Sequence, residues 1–402
     1  MEYYLPKGFR FAGVAAGIKS RPGVKDVTLI VSDVPASAAG VYTQNQVVAA
    51  PVLLDRKRTP TSAARVVVVN SGNANACTGT RGDADAVRMC QIAAAAASSP
   101  VDSIAAERAL VMSTGVIGRF LPMDKIDSGI HSAAQQLGYG QAAFLDAADG
   151  IMTTDAARKV TTRRYEHSGR TINIAGMAKG AGMIGPNMAT MLCCVLTDAP
   201  LTADQAQKLL HAAANKSFNN ISVEGHTSTN DTMLLLANGQ AGGSPLDAQA
   251  EAIFASHLEQ MCIELAKQIP ADGEGATHLI EIDVRGARTD ADARQIAHTV
   301  AGSNLVKSAV FGCDPNWGRI VSAAGYAGVP IDAAKLALKL NSIELFRNGE
   351  PVAFDAKLAS QAIRDNHLTH VLLTVGDGPG ECRHWTSDLT LDYVRFNSEY
   401  TT

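Results

Sequence analysis

The segment Ala175-Gly176-Met177-Ala178-Lys179-Gly180-Ala181-Gly182-Met183-Ile184-Gly185-Pro186-Asn187-Met188-Ala189-Thr190-Met191-Leu192 lies near the middle of the chain. Its glycines at 180, 182 and 185 spell G-x-G-x-x-G, which binds a dinucleotide where a strand leads in and a helix leads out. A strand does lead in, over 171–175. No helix follows, because Pro186-Asn187 comes next and 191–196 reads as another strand. Asp198 then falls in a turn rather than at a ribose. Two readings stay open. The glycines form a plain turn between strands, or they present Thr190 as a nucleophile. A threonine hydroxyl needs a base beside it, and one solution makes threonine N-terminal so that its own α-amine serves. Such an amine titrates at about 7.7–8.0. Thr190 gains it only if the Ala189–Thr190 bond is cut, by attack of the Thr190 hydroxyl on the Ala189 carbonyl and hydrolysis of the resulting ester.

Outward from this segment the chain alternates strands and helices. Val27 to Val31 and Arg65 to Asn70 read as strands, the second a buried β-branched run that stops at Ser71-Gly72-Asn73-Ala74-Asn75. An Ala-rich helix is expected over 82–98. A strand at 109–112 empties into Ser113-Thr114-Gly115, read as a turn. A helix is expected over 128–150 and another over 202–216 with Thr202 as N-cap. The run Glu224 to Thr232 is densely polar between two apolar strands: a solvated loop, or the lining of a polar site. After a helix at 246–268, the turn Asp272-Gly273-Glu274-Gly275 and a strand at 278–284, a second α/β unit begins. It carries a helix at 289–300 and strands near 336–341, 370–375 and 384–396. The expected units are 1–285 and 286–402, and the class is α/β or α+β.

Composition narrows the function. Of 402 residues, 46% are hydrophobic and 18% charged, which suits a packed globular protein rather than a disordered one. A net charge of −4 without any basic cluster argues against nucleic acid or an anionic membrane as partner. The seven cysteines form no C-x-x-C pair, so neither a metal cluster nor a disulfide framework is expected, and reduced thiols suit a cytoplasmic protein. The N-terminus lacks a signal-peptide pattern, and the apolar runs are too short to span a bilayer.

The segment 179–192 closely resembles the self-cleavage site of the ornithine acetyltransferase family, the glutamate N-acetyltransferases of arginine biosynthesis. Ser71-Gly72-Asn73-Ala74-Asn75-Ala76, Ser113-Thr114-Gly115-Val116-Ile117-Gly118, Met152-Thr153-Thr154-Asp155, Thr227-Ser228-Thr229-Asn230-Asp231-Thr232, Asp272-Gly273-Glu274-Gly275-Ala276-Thr277, Gly312-Cys313-Asp314-Pro315-Asn316-Trp317-Gly318-Arg319 and the tail from Tyr393 to Thr402 resemble that family in the same order. The resemblance implies an αββα sandwich with a C-terminal α/β domain, cleavage into an α part, 1–189, and a β part, 190–402, and an α2β2 assembly. It implies Thr190 as nucleophile and Thr114 with Gly115 as oxyanion hole. Thr153, Lys179, Thr190, Glu274, Asn397 and Thr402 match its substrate-binding positions. Taken singly, Lys179 and Glu274 read as solvated charges, and Asn397 and Thr402 as a frayed end.

The implied reaction is acetyl transfer from N2-acetyl-L-ornithine to L-glutamate, without cofactor or metal. A version that also accepts acetyl-CoA stays open, as does an amidohydrolase or aminopeptidase of the same nucleophile type. Three places depart from the family pattern. Residues 154–159 read Thr-Asp-Ala-Ala-Arg-Lys where Thr-Asp-Thr-x-Pro-Lys is common, His278 stands where a lysine often follows, and His226 replaces a frequent aspartate.

Overall fold

The computed structural model describes residues 2–185 and 191–399. Its first part runs β1 (Phe9–Val14), β2 (Val27–Tyr42), α1 (Ala50–Arg58), β3 (Thr61–Asn73), α2 (Gly79–Ala97), β4 (Ala109–Val116), α3 (Met123–Gln135), α4 (Gln141–Ile151), β5 (Lys159–His167), β6 (Arg170–Lys179), β7 (Leu192–Thr197), α5 (Ala203–Lys216), β8 (Ile221–Ser222), β9 (Thr232–Ala237) and α6 (Ala248–Ala271). The second part runs β10 (Leu279–Ala287), α7 (Asp290–Ala301), α8 (Asn304–Phe311), α9 (Trp317–Gly325), β11 (Ala337–Leu340), β12 (Ile343–Arg347), β13 (Glu350–Pro351), α10 (Ala356–Arg364), β14 (Leu368–Thr374), β15 (Gly380–Ser387) and α11 (Leu391–Glu399).

One eight-stranded sheet, in order β4-β3-β2-β9-β7-β6-β5 with β1 on β2, builds the first part. Strand β2 turns it back on itself. Its first half pairs with β1 and β3, its register with β3 shifts between Val31 and Ala36, and its second half pairs with β9. Side chains that alternate along each strand then sort into three cores. Val67, Val69, Leu110 and Met112 face Met177, Cys194, Leu196 and Leu234 between the two halves. The opposite side of β1–β4 packs Val66, Val68 and Val111 against α2 and α3. The opposite side of β6, β7 and β9 packs Ile174, Val195 and Leu235 against α5 and α6. The layers are helix, sheet, sheet, helix, an αββα sandwich. Helix α5 starts as expected: Thr202 and Gln205 form a reciprocal capping box.

The second sheet, β13-β12-β11-β14-β10-β15-β8, is mixed, and Ile280, Ile282 and Val284 cover α7, α8 and α9. Its edge strand β8 comes from the first part, so the two units share hydrogen bonds. Strand β10 lies wholly in this sheet, paired with β14 and β15.

Several local readings are corrected. The helix read over 128–150 is two helices, because Gly138 leaves the helix to exchange backbone hydrogen bonds with Phe11. The strand read over 384–396 ends at Ser387 and gives way to α11, whose start is capped where Thr390 Oγ1 accepts the Tyr393 N–H at 3.0 Å. Ser113-Thr114-Gly115 is not a turn but the last stretch of β4, paired with Asn70–Gly72 of β3. Strand β5 and helix α8 were not anticipated.

Candidate active site

The ends of β4 and β6, the loop after α4, the turn after α6 and helix α11 enclose a cavity of about 90 Å³. Six of the residues singled out by sequence line it: Thr114, Gly115, Thr153, Lys179, Glu274 and Asn397. They come from five places far apart in the chain. A wider groove of about 580 Å³ between α5, α6, β10 and β15 contains none of them. Ala189, Thr190 and Thr402 lie outside the described residues.

Lys179 ends β6 and is 2% exposed, so it is no solvated surface charge. Its ammonium donates to Thr114 Oγ1 at 3.2 Å. With its oxygen accepting from Lys179, the Thr114 hydroxyl is free to donate its own proton into the cavity. Burial pushes the Lys179 pKa down, opposed by Asp155. Gly115 beside it has φ +130°, and a Cβ there would come within 2.3 Å of the Gly72 carbonyl carbon. Only glycine suits both the conformation and the close approach to β3.

Glu274 is fixed by its backbone N–H, which donates to Ala181 O at 2.9 Å, and its side chain accepts from Asn397 Nδ2 at 3.1 Å. Its carboxylate lies against Gly182, where a Cβ would sit 2.3 Å from Oε2. Helix α11 can lie this close because a Cβ on Gly275 would strike the Tyr393 nitrogen at 2.5 Å. Helix α11 is thereby seated against the turn carrying Glu274, with Asn397 lining the cavity.

Asp155 organises the cavity's floor. Oδ1 accepts the Gly180 N–H at 2.7 Å and the Lys159 ammonium at 2.7 Å, and Oδ2 accepts the Thr153 N–H at 3.0 Å. Burial would raise its pKa, but Lys179, Lys159 and the Gly180 N–H outweigh burial and hold it at about 2. Lys159, 1% exposed, also reaches Asp272 Oδ2 at 2.6 Å, which in turn takes the Ala156 N–H at 3.0 Å. The chain Gly180–Asp155–Lys159–Asp272 thus links the glycine approach to the turn carrying Glu274. Asp155, Lys159 and Asp272 all stood in quoted motifs without a role.

Of the departures from the family pattern, Ala156 and Ala157 meet this chain, both donating their N–H groups to Asp272 Oδ2. Arg158, at the proline position, pairs with Asp149. His278 is buried and pairs with Asp388 at 3.2 Å. His226 is exposed. Among the described residues no three His, Cys, Asp or Glu side chains form a group that could hold a metal ion, and no helix is long and apolar enough to cross a membrane. All seven cysteines are free.

A model of the ArgJ family matches residues 10–402. The chain is 51% identical to the arginine biosynthesis bifunctional protein ArgJ of Rhodopirellula baltica, over 100% of this chain and 97% of that one. Among solved structures it is similar to ArgJ of Bacillus halodurans, at 38% identity over 52% of this chain and 98% of that one, with a TM-score of 0.50. It is also similar to the ornithine acetyltransferase of Mycobacterium tuberculosis solved with ornithine, at 40% identity over 45% of this chain and 92% of that one, with a TM-score of 0.40. Matched along its length by the family and by a relative that shares half its residues, the chain belongs to the ArgJ family.

Proposed function

We propose that this acyltransferase moves the acetyl group of N2-acetyl-L-ornithine to L-glutamate by ping-pong transfer through Thr190, after cutting itself between Ala189 and Thr190. The observation that carries the proposal is the convergence of Thr114, Gly115, Thr153, Lys179, Glu274 and Asn397 on one cavity. In this reading the Thr190 hydroxyl attacks the donor's acetyl carbon. The Thr114 hydroxyl and the Gly115 N–H hold the oxyanion, with the Lys179 charge behind them. Ornithine leaves, and the glutamate amine takes the acetyl group from Thr190. Lys179 suits a substrate carboxylate and Glu274 a substrate amine, while Thr153, Asn397 and Thr402 orient the amino-acid head group. The working form is α2β2 and cytoplasmic.

A second donor, acetyl-CoA, is favoured by the word bifunctional in the name of the Rhodopirellula relative. The test is acetyl transfer to glutamate from acetylornithine and, separately, from acetyl-CoA. Formation of N-acetylglutamate from acetylornithine supports the proposal, and its formation from both donors supports the bifunctional form. Release of free acetate without added glutamate, and no N-acetylglutamate with it, would instead mark a hydrolase.

A further inference from the structure

Strand β4 is the outer strand of its sheet, so every second residue turns its backbone N–H and C=O away from β3. Side chains meet that outward row in place of a further strand. Arg58 donates to Ala109 O, and the fully buried Asp55 accepts the Val111 N–H at 3.0 Å on Oδ1 and 3.1 Å on Oδ2. The next member, Ser113 O, accepts from Asn230 Nδ2 at 2.8 Å. The same nitrogen donates to Ala74 O, just past β3, at 2.6 Å. Both acceptors are carbonyls, so only the NH2 end of the amide can face them. Thr229 Oγ1 donates to the other end, Oδ1, at 2.6 Å and locks the amide's orientation. Asn230 is 6% exposed and lines the cavity with Thr114 and Gly115.

The outward row continues with Gly115. Val116 O turns the other way, toward β3, where it accepts the Ala74 N–H at 2.9 Å. The Gly115 N–H, one residue earlier, therefore faces the same side as Ser113 O. A further strand at this edge would satisfy Ser113 O and would also take up the Gly115 N–H. A side-chain amide reaches the one carbonyl and leaves the N–H two residues on for a ligand in the cavity. We infer that Asn230 is a positioning residue for the Gly115 N–H: by pinning Ser113 O and Ala74 O to one locked amide, it sets the direction in which that donor points. The inference rests on the acyl-transfer reading above, in which the Gly115 N–H and the Thr114 hydroxyl hold the oxyanion. On the β3 side the same stretch is tied by Ser113 Oγ, which donates to Asn70 Oδ1 at 2.6 Å, and by Asn70 Nδ2, which donates to Asn73 O at 2.8 Å. The end of β4 is thus held from both sides before any substrate arrives, as an oxyanion donor must be.

A double-mutant cycle with Thr114→Val tests it. Asn230→Ala is made alone and together with Thr114→Val, and kcat and KM for acetylornithine are measured on protein in the same cut state as wild type, checked by intact mass. Asn230→Ala alone should lose about 10²-fold in kcat, the cost of misplacing a positioned group by about 1 Å, and keep KM within about threefold. In the Thr114→Val background its further loss should shrink to under about tenfold, because both residues serve one oxyanion and groups that act as a unit are not additive. A merely structural Asn230 would leave less active enzyme and lower the rate by the same factor in both backgrounds. That result, or a wild-type kcat in Asn230→Ala, overturns the inference. If Asn230→Ala does not fold or is not cut, Asn230→Ser, which keeps one donor, carries the same cycle, and failure of both to fold marks Asn230 as structural and overturns it. A wild type that transfers no acetyl group defeats the acyl-transfer reading and this inference together, whereas a transferring wild type with equal losses in the two backgrounds defeats this inference alone.

Discussion

The Asp155 carboxylate accepts the Gly180 N–H at 2.7 Å, joining the loop after α4 to the first glycine of the approach to residue 190. The same oxygen takes the Lys159 ammonium, so charge and backbone are fixed together. Replacing Asp155 by Asn leaves Lys159 and Lys179 undercompensated in a buried setting. Removing one partner of such a pair costs about 3–5 kcal/mol. Urea unfolding of Asp155→Asn against its parent, both carrying Thr190→Ala so that neither chain is cut, should show a loss of that size. Without that substitution, cleavage should slow by at least about tenfold as the approach loosens.

Acid and alkaline behaviour should separate two carboxylates. The folded pKa of Asp155, about 2, lies below its unfolded value of 3.8. Its contribution is therefore complete above about 4 and lost as pH falls towards 2. Glu224 is the reverse: burial raises it to about 7, and neither of its oxygens has a partner among the described residues. Its stabilising protonation is complete below 4.5 and is lost as pH rises through 7. Glu224→Gln should thus raise the melting temperature by about 2–4 °C at pH 8 and change it little at pH 5. Thermal melts at the two pH values check this.

Thr114→Val removes the hydroxyl that Lys179 supports while keeping the shape of β4. If Thr114 is an oxyanion donor, kcat should fall about 10²–10³-fold, with KM for acetylornithine within a few-fold. Thr114→Ser should restore most of the rate. Steady-state kinetics on the three proteins decide it.

Gly182→Ala needs no unusual backbone, yet its Cβ would strike the Glu274 carboxylate. The carboxylate must move, and a shift of about 1 Å at a positioning group costs about 10²-fold. kcat/KM should fall by about that factor, while urea unfolding changes by under about 2 kcal/mol. A variant with wild-type kinetics would remove Glu274 from substrate binding.

The buried strands were legible because their β-branched runs have no other favourable place, as in Val66 to Val69 of β3. Strand β5 was not, since Arg163, Arg164 and Glu166 give an edge strand a polar sequence. Helix α11 was misread because Tyr393, Val394 and Phe396 suit a strand locally. It becomes a helix through the Thr390 cap and its close seat over Gly275. The site divides in the same way. Ser113-Thr114-Gly115 read locally as a turn, and resemblance picked out Thr114, Gly115, Lys179, Glu274 and Asn397. That Lys179 is buried between Thr114 and Asp155 depends on two other segments meeting it, which no local pattern of residues expresses. Asn230 sat inside a polar run whose default reading was a solvated loop, and only the meeting of that run with the end of β4 brings it to Ser113 O.

The central claim is that Thr190 works as a chain terminus, and intact-mass analysis on a denaturing preparation tests it most directly. Wild type should give two fragments, 1–189 and 190–402, and Thr190→Ala a single uncut chain of 42.0 kDa. A wild-type chain that stays whole after long incubation, while still transferring acetyl groups, would contradict it.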